Sequence, residues 1–569
     1  ASSSGNDGQL SNGAELGHPG TLDKAVNFPA SGQVQIGTTN WNADRGSIAL
    51  WVRADAFASG DQYLFGHTTQ PAWSNRIQLY TNDSSGLLDL GLGSSHTLAI
   101  GVADLDAQIW HHIVLTWEGA GGSGTYRLYV DQQEVASGQY TGLNQLHSFA
   151  HIGNDGNNGT RPFDGLIDET RVYNRALSAQ EVILLHNLEP EPDPVVQLMK
   201  KVNDYWIGNN TLGDNKWARG AYFVGNMAAY RTMTDAADRE AYLDWAFAWA
   251  EQNNYALNGG VNTVDSDNHA AGQTYIELYS EWPQLTSPAW NQPQIGDIES
   301  SIHRLVANVD PNRSCAKRTS QEQPNEDWCW IDALFMAMPV FTKLGNLAET
   351  DPAALIHGHT GAEYFQKMYD LYNHTKNLED TQSWQNSGTV RGLYDEKENL
   401  WYRDRSYLDQ TTPNGKKIFW SRGNGWVFAA HARVLDELPS NDPHRQEYEA
   451  TFAAMAAKLM AVQRADGFWN MNLGDPNDAP GPETSGTAFF TYGLAWGINN
   501  RILDRPTYLP VVEKAWQAME TQAVHPDGKL GYVQNVGQEH TPQPPTYDET
   551  RDFGVGAFLL AGSEVAEMQ

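Results

Sequence analysis

The chain has 569 residues, of which 69 are acidic and 37 are basic, giving a formal net charge of −32. Such a length needs more than one hydrophobic core. The acidic excess opposes binding to nucleic-acid backbones or anionic membranes, so we expect neither as a partner. No run of about 18 apolar residues predicts a membrane span. Residues 1–8 look like a processed N-terminus, so we expect a secreted or periplasmic protein.

Short alternating segments separated by polar turns fill residues 1–187. Residues 47–53 place Ile48, Leu50 and Val52 on one face of a strand, and residues 110–117 and 126–130 alternate in the same way. Evenly spaced strands without long helical patterns predict a β-sandwich over 1–187. The Pro- and acid-rich run that follows predicts a linker over 188–197.

Beyond the linker the hydrophobic period becomes helical. Glycine-, aspartate- and tryptophan-rich loops separate the predicted helices, and ten to twelve helices over 198–569 favour an α/α barrel with its active site where the loops gather. A helical array that does not close into a ring fits the pattern too. The helices are predicted over 218–233, 240–251, 269–279, 328–341, 361–372, 426–438, 448–462, 487–498, 510–519 and 554–567.

Two acids stand out at predicted helix starts. Asp332 follows Trp328 and Trp330 in an apolar and aromatic run, where desolvation would raise its pKa and suit it to general acid catalysis. Its alternative role is to cap the following helix. Asp267, followed by Asn268 and His269, by itself indicates a helix cap.

Two further runs offer groups for an anionic sugar. In residues 419–426, Arg422 could bind a carboxylate while Trp420 and Trp426 offer faces for sugar stacking, or the tryptophans pack on the core. Residues 481–490, which include Ser485, could bind an anion at a helix N-terminus, although simple capping also explains them.

Taken in order, these four runs resemble glycoside hydrolase family 105, the unsaturated rhamnogalacturonyl or glucuronyl hydrolases, which is related to family 88. The resemblance covers residues of about 200–569 and implies an (α/α)6 barrel. It implies a substrate with a 4,5-unsaturated uronic acid at its non-reducing end, as polysaccharide lyases produce. The double bond is hydrated, unlike the usual attack at an anomeric carbon.

The resemblance also implies roles. Asp332 would be the general acid/base, and Asp267 a second acid that binds sugar hydroxyls or tunes Asp332. Arg403 would contact the substrate carboxylate or a sulfate, and no cofactor is expected for catalysis. The remaining residues predicted to bind the anionic oligosaccharide are Arg422, Trp420, Trp426, Trp330, Trp328, His269, Gln273 and Ser485.

Departures from the family pattern bear on the substrate. Gln321 stands where the better-known branch has a histidine, and Arg403 lies in a run that lacks a second one. Ulvan oligosaccharides ending in unsaturated glucuronyl-rhamnose sulfate thereby join rhamnogalacturonan oligosaccharides as candidates. The alternatives are a polysaccharide lyase or ordinary glycosidase on the same toroid, or a non-catalytic carbohydrate-binding protein.

The first 187 residues are similar to laminin-G-like, concanavalin-type jelly rolls. Residues 25–28, 47–52, 110–117 and 165–178 carry the resemblance. It implies a structural calcium at Asp168. The alternative is that Asp168 pairs with Arg171 or caps a turn. We expect His111 and His112 to be structural, because neighbours on a strand point to opposite faces. The domain would attach to carbohydrate or act as a spacer.

Two cysteines, Cys315 and Cys329, exclude a disulfide-rich scaffold and a cysteine-rich zinc site. They either form a single bridge or are unrelated thiols.

Overall fold

A computed structural model describes residues 8–21, 24–29, 32–57, 60–69, 74–81, 86–155, 161–188, 193–285, 290–308, 328–378, 391–537 and 543–568. The chain divides into two compact units, Ala1–Glu191 and Pro192–Gln569. No helix among the described ranges has the length and apolar character needed to cross a membrane.

The first unit is a sandwich of two antiparallel sheets of seven strands each, as the sequence predicts. In spatial order the first sheet contains Gln9–Ser11 (β1), Gln33–Gly37 (β4), Phe149–Ile152 (β13), Gln62–Thr69 (β6), Ser74–Thr81 (β7), Leu88–Gly93 (β8) and Ser95–Ala99 (β9). The second contains Gln133–Thr141 (β12), Ser123–Val130 (β11), His111–Ala120 (β10), Arg45–Ala54 (β5), Gly165–Tyr173 (β14), Lys24–Phe28 (β3) and Glu15–Pro19 (β2).

Strand alternation separates the sandwich core from a helix-covered outer face. Ile113 lies opposite Leu50, and both are fully buried in the core between the sheets. Val114, one residue along, packs instead with Val182 of helix Ala179–His186 (α1). The two-residue period of a strand explains why neighbouring apolar residues belong to different clusters.

The predicted calcium ligand is held by hydrogen-bond donors. Oδ2 of Asp168 accepts from the backbone N–H (2.7 Å) and hydroxyl (3.1 Å) of Thr21, and Oδ1 accepts from the N–H of Glu169 (2.8 Å). Calcium requires oxygen ligands, and the described residues contain no group of three or more His, Cys, Asp or Glu arranged for a metal. Backbone carbonyls, which could complete a calcium site with one carboxylate, are not among these groups, so the calcium at Asp168 stays a prediction. Arg171 pairs with Glu169.

The adjacent histidines of β10 are structural, as predicted. Nδ1 of His111 lies 2.7 Å from a carboxylate oxygen of Asp131, and its Nε2 accepts from the N–H of Asp106. The ring of His112 packs instead against Trp51, 4.9 Å between centroids.

The second unit is an (α/α)6 toroid, which confirms the predicted fold class. Each inner helix contacts two inner neighbours, and the ring closes between the first and the last. The inner helices are Trp217–Thr232 (α3), Ser266–Glu281 (α5), Asp332–Thr350 (α7), Ser421–Glu437 (α9), Thr484–Asn499 (α11) and Asp552–Glu567 (α13). The outer helices are Pro194–Asn209 (α2), Ala236–Gln252 (α4), Gly296–Asn308 (α6), Gly361–Asn373 (α8), Arg445–Val462 (α10) and Arg505–Ala518 (α12).

Glycine allows the ring to close. A Cβ on Gly225 of α3 would lie 2.2 Å from the carbonyl oxygen of Gly556 of α13, closer than atoms can approach. The two helix backbones therefore pack directly against each other.

Two outer helices lie outside the ten listed from the sequence. Helix α2 begins at Pro194, inside the predicted linker, because the Asp193 side chain accepts from the Val195 N–H and proline fits the first helical turn. Helix α6 buries Ile298, Ile302 and Leu305, an i, i+4, i+7 pattern that the sequence carried.

Candidate active site

The first turns of the six inner helices gather at one end of the toroid. Because inner and outer helices alternate along the chain and run in opposite directions, the positive dipole ends of all six inner helices lie there. This end suits an anionic ligand even on a strongly acidic chain. The residues that begin these helices are Trp217, Ser266, Asp332, Ser421, Thr484 and Asp552.

Neither predicted catalytic acid is a helix cap. Asp265 is the N-cap of α5, and its Oδ1 accepts from the N–H of Asp267 at 3.1 Å. Ile331 is the N-cap residue of α7, and Asp332 follows it as the first helical residue. Both Asp267 and Asp332 are partly exposed. Capping therefore does not explain either carboxyl group, and both are accessible for chemistry.

The two acids act on each other. Burial, together with the negative charges of Asp332 and Asp265, raises the pKa of Asp267 to about 7. A hydrogen bond from Trp330 and the charge of Arg403 oppose this rise. An acid that keeps its proton near neutrality beside a second carboxyl group is the arrangement that acid–base chemistry requires.

A short extended contact brings Arg403 to the acids. The N–H of Ile331 donates to the carbonyl oxygen of Arg403 at 3.0 Å, and Trp330 forms a β-bridge with Asp404. The Arg403 guanidinium also donates to Asp404 at 2.7 Å and remains partly exposed. The structure thus joins Asp267, Trp330 and Arg403 in one sector of the site.

Arg422 and Trp420, both almost fully buried, form the neighbouring wall. The guanidinium carbon of Arg422 lies 4.6 Å from the ring centroids of both Trp420 and Phe553. It donates to the carbonyl oxygen of Gln534 at 2.7 Å, and Trp420 Nε1 donates to the Gln534 side chain at 2.8 Å. The Arg403 guanidinium carbon lies 5.8 Å from the Trp420 ring, so this wall adjoins the sector of the acids.

The Trp426 ring packs behind this wall. It is fully buried and contacts Phe335 (4.7 Å), Phe489 (4.4 Å) and Phe553 (6.2 Å between centroids). Sugar stacking by Trp420 and Trp426 stays a prediction. Sequence reasoning missed Trp217, which is only half-buried and stacks on Phe553 at 5.4 Å. Its position as the first residue of the first inner helix was the available signal.

His269 and Gln273 contact neighbouring helices, so their positions do not favour the predicted contact with substrate. His269 is fully buried and contacts Ser301 of outer helix α6 through Nε2 at 2.8 Å. Burial lowers its pKa to about 3. Gln273 lies almost two turns into α5, where it donates to the Phe335 carbonyl and accepts from Arg433.

Trp328 and Ser485 are also structural. The Trp328 ring is fully buried and packs against Phe341, with 5.7 Å between the ring centroids. Phe341 lies more than two turns into α7. Ser485 is fully buried, and its hydroxyl donates to Glu483, which caps α11. Direct substrate contact by either residue is therefore not supported by its position. Gln321 lies outside the described residues.

Comparison with known proteins gives two family matches. The model described as Glycosyl Hydrolase Family 88 matches residues 195–569. The model described as Concanavalin A-like lectin/glucanases superfamily matches residues 28–183, which confirms the resemblance drawn for the first unit.

Relatives match the second unit. An unsaturated 3S-rhamnoglycuronyl hydrolase of Formosa agariphila is 33% identical over 365 residues, which cover 63% of this chain and 86% of the relative. A solved family 88 structure from Bacteroides vulgatus is 31% identical with a TM-score of 0.55, covering 66% of this chain and 99% of that one. A solved structure described as a polysaccharide lyase is 36% identical with a TM-score of 0.54, covering 66% and 97%.

Proposed function

Because the chain belongs to glycosyl hydrolase family 88, we propose that it removes a 4,5-unsaturated uronic acid from the non-reducing end of lyase-generated oligosaccharides. Membership confirms the predicted glycoside hydrolase. The observation that carries the proposed reaction is the pair Asp267 and Asp332, two accessible acids in adjacent first turns, one with a pKa of about 7.

Hydration of the double bond needs one proton donor and one proton acceptor. The Asp332 carboxylic acid protonates C4, and the C4=C5 electron pair forms the new C–H bond. Water attacks C5 as the Asp332 carboxylate takes its proton, so the residue ends as it began. C5 then carries a hydroxyl and the ring oxygen. Opening of this hemiketal leaves a ketone, and collapse of the hemiacetal at C1 releases the remaining saccharide.

Asp267 and Arg403 complete this step. Asp267 holds a proton near neutrality, so it donates a hydrogen bond to a sugar hydroxyl and favours proton sharing with Asp332. Arg403 offers a planar cation to the substrate carboxylate from the side of the acids. The reaction consumes one water per bond, and no cofactor enters any step.

The saccharide that follows the uronic acid is proposed to be rhamnose, with sulfate as in ulvan. The name of the Formosa agariphila relative specifies a 3S-rhamnoglycuronyl substrate for that protein. Arg403 and the positive ends of the inner helices are compatible with a sulfated substrate. Oligosaccharides of rhamnogalacturonan, which lack sulfate, are the second candidate.

The test is an ultraviolet absorbance assay on oligosaccharides from pectin, ulvan and glycosaminoglycan lyases. The conjugated enol ether absorbs, so hydrolysis lowers the absorbance. The chain should remove the signal with at least one family of substrates, and Asp332→Asn should not. Equal loss of signal with Asp332→Asn would remove Asp332 from the mechanism.

A lyase is the second candidate, because one structural relative is described as a polysaccharide lyase. A lyase creates the unsaturated bond, so absorbance would rise with an intact polysaccharide. The sign of the change separates the two reactions.

We also propose that the protein works outside the cytoplasm. Cys329 is disulfide-bonded, and bridges of this kind persist in oxidising compartments. Cys315, the other cysteine of the sequence, lies outside the described residues. A cell-fractionation experiment that recovers the protein in the medium or periplasm would support this location.

A further inference from the structure

A cavity opens in the helical unit on the segment that precedes Arg403. It has a volume of about 580 Å³, within the range of saccharide-sized ligand pockets. Its walls come from the helical turn His374–Leu378 that follows α8, from the hairpin of Tyr394–Asp395 (β15) and Leu400–Trp401 (β16), and from the segment before α9. The described residues that line it are Lys376, Asn377, Arg391, Gly392, Tyr394, Asp395, Glu396, Lys397, Tyr402, Leu408 and Lys417.

We propose that this cavity is an anion-binding subsite that receives a sulfated or carboxylated unit of the same oligosaccharide, beyond the sugar held at Asp332. The inference rests on the proposed function, because it presumes that an anionic oligosaccharide occupies the site.

Basic residues outnumber acidic ones among the described residues that line the cavity. Four of these are basic and two are acidic, whereas the whole chain has 37 basic and 69 acidic residues. A protein of this net charge repels an anionic glycan at a distance, so capture depends on local cations. The cavity concentrates them.

Two of the cations are fixed in the walls. Lys376 donates to Glu447 and to Thr451, both at 2.9 Å. Lys417 donates to Asp395 at 2.6 Å, which neutralises one of the two acidic lining residues. Their positions are therefore set before a ligand arrives.

The other two cations lie at the rim. Arg391 pairs with Asp409 at 2.8 Å, and the Asp409 side chain is 73% exposed, so this pair contributes little and is readily exchanged for a ligand. Lys397 is exposed at the tip of the hairpin. Tyr394 and Tyr402 add aromatic surface below these cations, as a sugar ring requires.

The cavity shares a backbone segment with the acids. Tyr402, which lines it, immediately precedes Arg403, whose charge acts on Asp267. The Tyr402 ring packs on Phe419 at 4.7 Å, and Phe419 precedes Trp420 of the Arg422 wall. Consecutive Cα atoms lie about 3.8 Å apart, so the cavity and the site are built on neighbouring residues of one segment.

The experiment compares an unsaturated disaccharide with an unsaturated oligosaccharide of six or more units from the same lyase digest. The variant is Arg391→Gln with Lys397→Gln, and the control is Lys458→Gln. Lys458 pairs with Glu398 at 3.0 Å, near the hairpin but outside the cavity. The double variant should raise KM for the long substrate by about two- to fivefold per cation and leave kcat unchanged. KM for the disaccharide should be the same in the wild-type protein, the double variant and the Lys458→Gln control.

Two outcomes overturn the subsite: an unchanged KM for the long substrate in the double variant, or an equal rise of KM for both substrates. High salt should abolish the preference of the wild-type protein for the long substrate, and persistence of that preference would also contradict the inference. Wild-type turnover of the disaccharide tests the proposed function by itself, so the two failures are distinguishable.

Discussion

The two ends of helix α5 carry acids in opposite electrostatic settings. At the open end, Asp267 lies beside Asp332 and Asp265, and its pKa is raised to about 7. Ten residues further on, Glu277 is 5% exposed and its pKa is held below the ordinary value. Burial alone would raise both pKa values. The cations Arg231 (3.2 Å), Lys343 (2.9 Å) and Arg433 (2.9 Å), which contact Glu277, reverse the effect at the closed end.

The comparison shows how one barrel separates chemistry from stability. Neighbouring helices supply an acid at one end and cations at the other, so the same type of side chain becomes a proton donor in one place and a permanent anion in the other. Each of the following substitutions removes one side of this contrast.

Asp332→Asn should have the largest effect. An amide cannot give up the proton that C4 receives, so kcat should fall by about a thousandfold. The melting temperature should not fall, since Asp332 destabilises its ionised neighbour. A matched change at the other end, Glu281→Gln, should leave kcat intact. Residual activity above a few per cent would show that another group protonates the substrate.

Glu277→Gln should destabilise the toroid by about 3 kcal/mol, because it leaves buried cations without their shared anion. Urea unfolding of the helical unit measures the loss, and the kcat of the remaining folded protein should match the wild type. Unchanged stability would mean that the three cations find other partners.

Arg403→Ala should raise KM by about tenfold and raise the pKa of Asp267 further, because a nearby positive charge that favours its ionised form is lost. The pH profile of kcat/KM therefore separates this role from simple packing: its titration near pH 7 should move upward. Arg403→Lys keeps the positive charge but not the planar guanidinium. It should therefore bring the titration back toward its wild-type pH more fully than it brings KM back toward the wild-type value. A profile that does not move would place Arg403 away from the acids.

The two acids should give stability opposite pH dependences. The pKa of Asp267 is about 3.8 in the unfolded chain and about 7 in the folded protein, so this residue lowers the stability of the fold as the pH rises through that range. Asp267→Asn should therefore stabilise the protein relative to wild type more at pH 8 than at pH 4. The lowered pKa of Glu277 contributes stability above its unfolded value of 4.5, and that contribution is lost in acid. Thermal melts of Asp267→Asn and Glu277→Gln at pH 4 and pH 8 check the two signs. If the melting temperatures of both variants, relative to wild type, shifted in the same direction with pH, the contrast between the two acids would be contradicted.

Much of the site was readable in the sequence. The motifs around Asp267, Asp332 and Arg422 placed these residues at the starts of inner helices, because helix entry leaves a local signature in polar and glycine residues. The proximity of Arg403 to Asp267 was harder to predict. It depends on an extended segment that pairs with residues 330 and 331 across some seventy positions of chain.

The predicted substrate contacts that the structure does not favour have a common feature. His269 and Gln273 lie on the predicted helix, yet each side chain turns toward a neighbour that the local pattern does not reveal: α6 for His269, and α7 and α9 for Gln273. Trp328 likewise looked like a sugar-stacking residue and proved to be core. A helix period identifies which residues share a face, but only packing tells which face meets the cavity.

The sequence by itself determined the two-domain order, the sandwich, the helical character of the second unit and the place of the acids near helix starts, because periodicity and helix entry are local properties of the chain. Closure of the helices into a ring was implied only by the family resemblance. Tertiary structure decided which charges surround each acid. The pKa of a carboxyl group depends on burial and on charges within a few ångströms, and in a closed ring those charges come from helices far apart in sequence. The same reason separates Asp267 from Glu277 on one helix.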